Sequence, residues 1–129
     1  ARVRKAYSTL EELEITHMAH NLTSELSGGQ SKLVDIGRAL MGEPDLLLLD
    51  EPVAGVAGPL AEKIFNNLRN IVSQTGISIL VIEHNMDFIL RRGVDRIIVM
   101  DQGKVLMQGT PDEVKDSKEV IEAYLGGAG

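Results

Sequence analysis

From Arg4 to about His20, the apolar residues Leu10, Leu13, Ile15 and Met18 are interspersed with charged ones, a spacing that predicts an amphipathic helix without fixing its inward face. Residues 21–26 interrupt that pattern. A second helix is predicted from Ser27, with Leu33, Gly37, Leu40 and Met41 along one side and Gly42 and Pro44 as stop signals. The unbroken aliphatic run at 46–49, closing on Asp50, predicts a central parallel strand covered on both faces. From Gly58 the spacing of Leu60, Ile64, Leu68, Ile71 and Val72 is helical, and Gly76 ends it. Residues 77–82 form a second buried aliphatic run. Strand, helix and strand in this order predict a βαβ unit with parallel strands.

Beyond that unit the elements become shorter. Residues 87–92 suit a short helix, and 96–100 and 104–108 flank Asp101-Gln102-Gly103, a connection of the kind found in antiparallel hairpins. Thr110-Pro111-Asp112-Glu113 combines a capping hydroxyl, a proline at the first helical position and a glutamate at the third, so a helix is predicted there. A last helical stretch over 118–125 leads into Gly126-Gly127-Ala128-Gly129, which reads as a flexible tail. No internal repeat is visible. The pattern as a whole is α/β: parallel strands with flanking helices, plus a C-terminal β-hairpin.

Composition narrows what such a fold can do. With 129 residues, 43% of them hydrophobic, the chain can bury one core; aromatic residues are only 3% and tryptophan is absent, so that core must be aliphatic. A formal net charge of −6 and the lack of any basic stripe argue against a nucleic-acid partner. There is no cysteine, which removes disulfides and thiolate metal sites. No apolar run approaches the roughly 18 residues of a membrane-spanning helix, and the first ten residues are too basic and too poor in apolar side chains for a signal peptide, so the chain is expected to be soluble.

Three places can carry chemistry. Ser27-Gly28-Gly29-Gln30 sets a serine and a glutamine three residues apart at a helix start, with two glycines between them. This is either an ordinary capping box after a glycine-rich turn or an anion-receiving site, in which helix amides and the serine hydroxyl meet a phosphate. Asp50-Glu51 follows the 46–49 strand, at the carboxyl end where open α/β sheets bind ligands. The pair either caps a turn before Pro52 or divides two tasks, Asp50 holding Mg2+ and Glu51 polarising a water for attack on a γ-phosphate. Glu83-His84 ends the neighbouring strand, so His84 is either a surface cap of the next helix or a third polar group at the same edge, able to hydrogen-bond a phosphate or position water. His17 and His20 lack partners at ligand spacing and read as surface residues. A phosphate-cradling P-loop is missing: the one Gly-Lys pair, Gly103-Lys104, is followed by Val105 and falls in the hairpin.

Taken in order, Leu26-Ser27-Gly28-Gly29-Gln30, Leu46-Leu47-Leu48-Leu49-Asp50-Glu51-Pro52 and Ile82-Glu83-His84 resemble the ABC-type ATPases motif by motif, from about Thr9 to Gly126. The resemblance implies a partial P-loop NTPase fold. In it, 1–26 would end the helical subdomain, 27–110 would be the C-terminal part of the ATPase core, and 111–129 would be C-terminal helices and the glycine-rich tail. It implies the signature motif at 26–30, with Ser27, Gly28, Gly29 and Gln30 contacting ATP held by a partner subunit. Asp50 would be the Walker B aspartate at Mg2+, Glu51 the general base and His84 the switch histidine. Implied partners are a second ATPase subunit, docked head to tail, and transmembrane permease subunits, which would place the protein on the cytoplasmic face of the inner membrane. One departure is visible: the segment Val53-Ala54-Gly55-Val56-Ala57 corresponds to the family's D-loop, and Ala57 stands where a polar side chain is usual. This bears on coupling between two sites rather than on Glu51 directly.

Glu83-His84-Asn85-Met86-Asp87 and Val120-Ile121-Glu122-Ala123-Tyr124-Leu125-Gly126 look most like the ATP-binding subunits of branched-chain amino-acid importers; urea and lipopolysaccharide relatives share similar segments. The expectation is part of an ATP-hydrolysing subunit, inactive by itself for want of a P-loop. The alternative is a short non-catalytic module that offers a signature face to a complete ATPase. A DNA-repair ATPase of related fold would need heptads before the signature, and residues 1–25 show none.

Overall fold

The computed structural model describes residues 1–125, so the expected flexible tail at 126–129 lies outside the described residues. The chain groups into two compact units, Ala1–Ile82 and a second from Glu83 onward.

The first unit opens with α1 (Arg2–Glu12), shorter than the helix predicted to reach His20. The stop is a Schellman-type ending: Ile15 N donates to Leu10 O at 2.9 Å and Glu14 N to Glu11 O at 3.0 Å, around Glu14 at φ 59°. A glutamate in this left-handed position, in place of the usual glycine, gives no stop signal in the sequence. The turn swings Leu13 and Ile15 into the core, and the remainder of the predicted helix becomes a 3-10 turn at Thr16–Met18. A second such turn, Thr23–Glu25, leads into α2 (Gly28–Leu40). At the far end of α2 it is Glu43, at φ 50°, and not Gly42 that adopts the left-handed conformation. An ion pair between Lys5 and Glu43 ties α1 to this turn.

Strand β1 (Leu46–Asp50), helix α3 (Gly58–Thr75) and strand β2 (Ser78–Ile82) form the expected βαβ unit. The strands are parallel, with Leu46 opposite Ser78, Leu48 opposite Leu80 and Asp50 opposite Ile82. Ile64, Leu68 and Ile71 recur along one face of α3 and pack with Leu13, Ile15, Leu33, Ile36, Leu47 and Ile77. Full burial of a side chain such as Ile64 or Ile71 contributes about 1.5–3 kcal/mol. The buried Asn67 donates from Nδ2 to Leu13 O at 3.2 Å, satisfying a carbonyl that the end of α1 leaves open. The expected two-faced coverage of β1 is corrected here: among the described residues this sheet has two strands and helices on one face. Leu46, Leu48, Leu80 and Ile82 share the other face and are 50–64% exposed.

In the second unit, α4 (Met86–Leu90) is capped by Asn85, whose Oδ1 accepts from Phe88 N at 3.0 Å. Strands β3 (Ile97–Asp101) and β4 (Lys104–Gly109) form the predicted antiparallel hairpin, with a bulge beside Val99 and Met100. Its two turn residues, Gln102 at φ 48° and Gly103 at φ 75°, supply the paired positive dihedrals that a tight hairpin turn needs. Helix α5 (Pro111–Lys115) starts with the predicted capping box: Thr110 N donates to Glu113 Oε2 at 2.8 Å and Glu113 N to Thr110 Oγ1 at 3.3 Å. Helix α6 (Lys118–Val120) runs into a π turn at Ile121–Leu125, where the Tyr124 hydroxyl donates to Met100 O. Ile97, Val99, Val114 and Val120 form this unit's core.

Candidate functional site

Ser27 holds the N-terminus of α2 by a reciprocal pair of bonds. Its amide donates to Gln30 Oε1 at 2.8 Å, and its Oγ accepts from Gln30 N at 3.2 Å. The capping box is therefore present, and it is compatible with an anion site, since the Ser27 hydroxyl keeps its own proton for a ligand while its oxygen caps the helix. Gly28 and Gly29 follow as the first two helical residues, whose amides have no partner inside the helix and lie at the positive end of its dipole. Gly28 is exposed, and a Cβ there would meet nothing within 4 Å. Gly29 is buried, and a Cβ there would run into the Leu60 side chain. The two glycines look alike in sequence and face different constraints.

At the end of β1, Asp50 is exposed and shares the open face of the sheet with Leu48 and Ile82. Glu51 N then makes one further bond to Ile82 O, at 2.8 Å, and the chain turns sharply, with Glu51 at φ 47°. A non-glycine residue in this region stores strain of order 1–3 kcal/mol, a feature that concentrates where a side chain must be aimed. Lys32 of α2 reaches the same turn, Nζ donating to Glu51 O at 3.5 Å. Sequence reading passed over Lys32; the available signal was its position two residues beyond Gln30, on the helix that begins at Ser27. Two consecutive turns follow, Ala54 N to Glu51 O and Val56 N to Val53 O, each at 3.1 Å, leading to Ala57 at the N-cap of α3. Ala57 makes no side-chain cap bond, so the missing polar side chain leaves that helix end without the stabilisation of about 1 kcal/mol that Asp or Asn supplies there.

Asp50 and Glu51 thus come together with the α2 side chain Lys32. His84 follows the last residue of β2 by two positions, is exposed and belongs to the second unit. His17 is exposed, and His20 Nε2 lies 3.1 Å from the Tyr7 hydroxyl. Gly103 and Lys104 sit at the β3–β4 turn, as the sequence suggested. Among the described residues no group of three or more His, Cys, Asp or Glu side chains is arranged to hold a metal ion. A single exposed carboxylate such as Asp50 still suits Mg2+, which is usually bound through one or two carboxylates together with waters and phosphate oxygens. Among the described residues no helix is long and apolar enough to cross a membrane.

Comparison with known proteins covers both ends of the chain. Residues 1–54 match the ABC transporter family model, and residues 104–129 match the model for the branched-chain amino acid ATP-binding cassette transporter. A probable branched-chain amino acid transport ATP-binding protein of Methanocaldococcus jannaschii is 42% identical over 128 residues, covering 96% of this chain and 49% of that protein. The lipopolysaccharide export system ATP-binding protein of Haemophilus influenzae is 38% identical, covering 97% of this chain and 51% of its own length. Among solved structures, the ADP conformation of an ATP-binding cassette of an ABC transporter superposes with a TM-score of 0.85 at 41% identity, over 97% of this chain and 50% of that one. The chain therefore spans about half the length of the relatives it matches.

Proposed function

Because this chain belongs to the ATP-binding family of ABC transporters and spans about half the length of its relatives, we propose that it supplies the signature and Walker B half of an ATP-hydrolysing subunit. That subunit powers an importer, and branched-chain amino acids are the favoured cargo, on the strength of the family model matched at 104–129 and the relatives' printed roles. Residues 1–26 end the helical subdomain, 27–110 belong to the ATPase core, and 111–129 are the C-terminal extension. The subunit works beside a second ATPase subunit and membrane permeases, on the cytoplasmic face of the membrane.

The observation that carries this reading is the end of β1, where an exposed Asp50, opposite Ile82 of β2, precedes Glu51 in a left-handed turn. Asp50 offers the oxygen ligand for Mg2+, which when bound neutralises phosphate charge. Glu51 orients a water and takes its proton. His84 donates a hydrogen bond to the terminal phosphate. Ser27 and the Gly28 and Gly29 amides receive the phosphates of nucleotide held by the partner subunit, and Gln30 keeps Ser27 in place through the capping box. Holding ATP in cis needs a P-loop, and these 129 residues contain none.

Glu51→Gln in the intact subunit tests the assignment. The amide keeps the size of the side chain and cannot accept the water's proton, so turnover falls by about 10²–10⁴-fold while ATP binding persists. Turnover within a few-fold of the parent protein would remove Glu51 from the role of base.

A further inference from the structure

Gly29 is the second residue of α2, and α3 approaches it closely. A Cβ on Gly29 would collide with Leu60 Cδ2, lie 3.3 Å from Leu60 Cγ and 3.5 Å from Val56 Cγ1. Leu60 stands in the first turn of α3, and Val56 lies in the 53–57 loop that starts beside Glu51; both pack against the first unit's core. Gly28, one residue earlier, faces open space. A side chain at position 29 would therefore have to displace Leu60, whereas the chain itself leaves room for one at position 28.

We propose that Leu60 is a positioning residue for the signature. By filling the space over Gly29 together with Val56, it seats the first turn of α2 against the first turn of α3. The amides that receive phosphate are thereby tied to the loop that carries on from Glu51. Close-packed side chains transmit a displacement instead of absorbing it, so the 53–57 loop cannot shift toward α2 without pressing on the turn that presents the Gly28 and Gly29 amides. Lys32 makes a second link between the same two segments, from α2 to the Glu51 carbonyl. The inference rests on the reading of Ser27-Gly28-Gly29 as a phosphate-receiving turn.

The test is a set of variants in the intact subunit: Gly28→Asp, Gly29→Ala, Leu60→Ala and the double variant Gly29→Ala with Leu60→Ala. Thermal unfolding, ATP-dependent dimer formation, kcat and KM are read for each. Gly29→Ala is expected to weaken ATP-dependent dimerisation about tenfold and raise KM, and removing the Leu60 side chain in the double variant to restore both to within about threefold of Leu60→Ala alone, the signature of directly coupled neighbours. A purely structural contact would lower the unfolding temperature and leave KM of the folded protein unchanged, which overturns the positioning role. If Gly29→Ala is harmless, or if the double variant stays as impaired as Gly29→Ala while Gly28→Asp is also impaired, Gly29 does not act through Leu60 and the proposal fails while the signature reading stands. If Gly28→Asp leaves dimerisation and turnover unchanged, the signature reading falls and the proposal with it.

Discussion

Several glutamates take backbone conformations that are uncommon for their type, and each has a local cause. Glu14, Glu43 and Glu51 have φ of 59°, 50° and 47°; the first two end helices and the third turns the chain out of β1. Sequence rules expect glycine at such positions, so the end of α1 at Glu14 was missed, while near Gly42–Pro44 and before Pro52 a turn was legible but not the glutamate that makes it. Glu43 also has its titration shifted by its surroundings. Lys5, which hydrogen-bonds its carboxylate and adds an opposite charge, holds it below the usual carboxylate range. A depressed folded value means the pair supports the fold above the unfolded-state pKa and ceases to do so as pH falls through the lowered folded value. Glu43 is fully exposed, so salt screens the effect. Lys5→Met should move the Glu43 titration upward, read by NMR, and the shift should shrink at high salt; an unmoved titration contradicts the pairing.

Among the elements, the two parallel strands show most clearly where sequence reading succeeds and where it stops. The run Leu46-Leu47-Leu48-Leu49 predicted a parallel strand, and its register with 78–82 is parallel. The same run predicted cover on both faces, and the described residues provide it on one. Composition reports how much apolar surface a strand carries; it does not say which chain buries it. Leu46, Leu48, Leu80 and Ile82 make a continuous exposed apolar row beside strand edges that have no partner among the described residues. Such surface drives association. The 129-residue chain by itself should dimerise or aggregate in sedimentation, and Leu48→Lys combined with Leu80→Lys should reduce that association markedly. A stable monomer of the unaltered chain at high concentration would count against this account.

For the whole molecule, the order of elements and the placement of polar residues at their ends were legible together because the motifs and the backbone pattern constrain each other. Ser27 caps a helix, Asp50 and Glu51 end a strand, and Gly103-Lys104 sits in a hairpin turn, each where the sequence placed it. What stayed hidden was contact between distant segments: Asn67 on the Leu13 carbonyl, Lys32 on the Glu51 turn and Leu60 over Gly29. None of these leaves a periodic trace, since each joins two elements whose spacing in sequence is arbitrary. The central claim concerns division of labour: this chain carries the signature, Asp50 and Glu51, while the grip on ATP comes from a P-loop that these residues do not contain. The most direct test is phosphate release by the purified 129-residue chain with Mg-ATP. The account predicts release no faster than in the protein-free control; a robust rate that Glu51→Gln abolishes would contradict it.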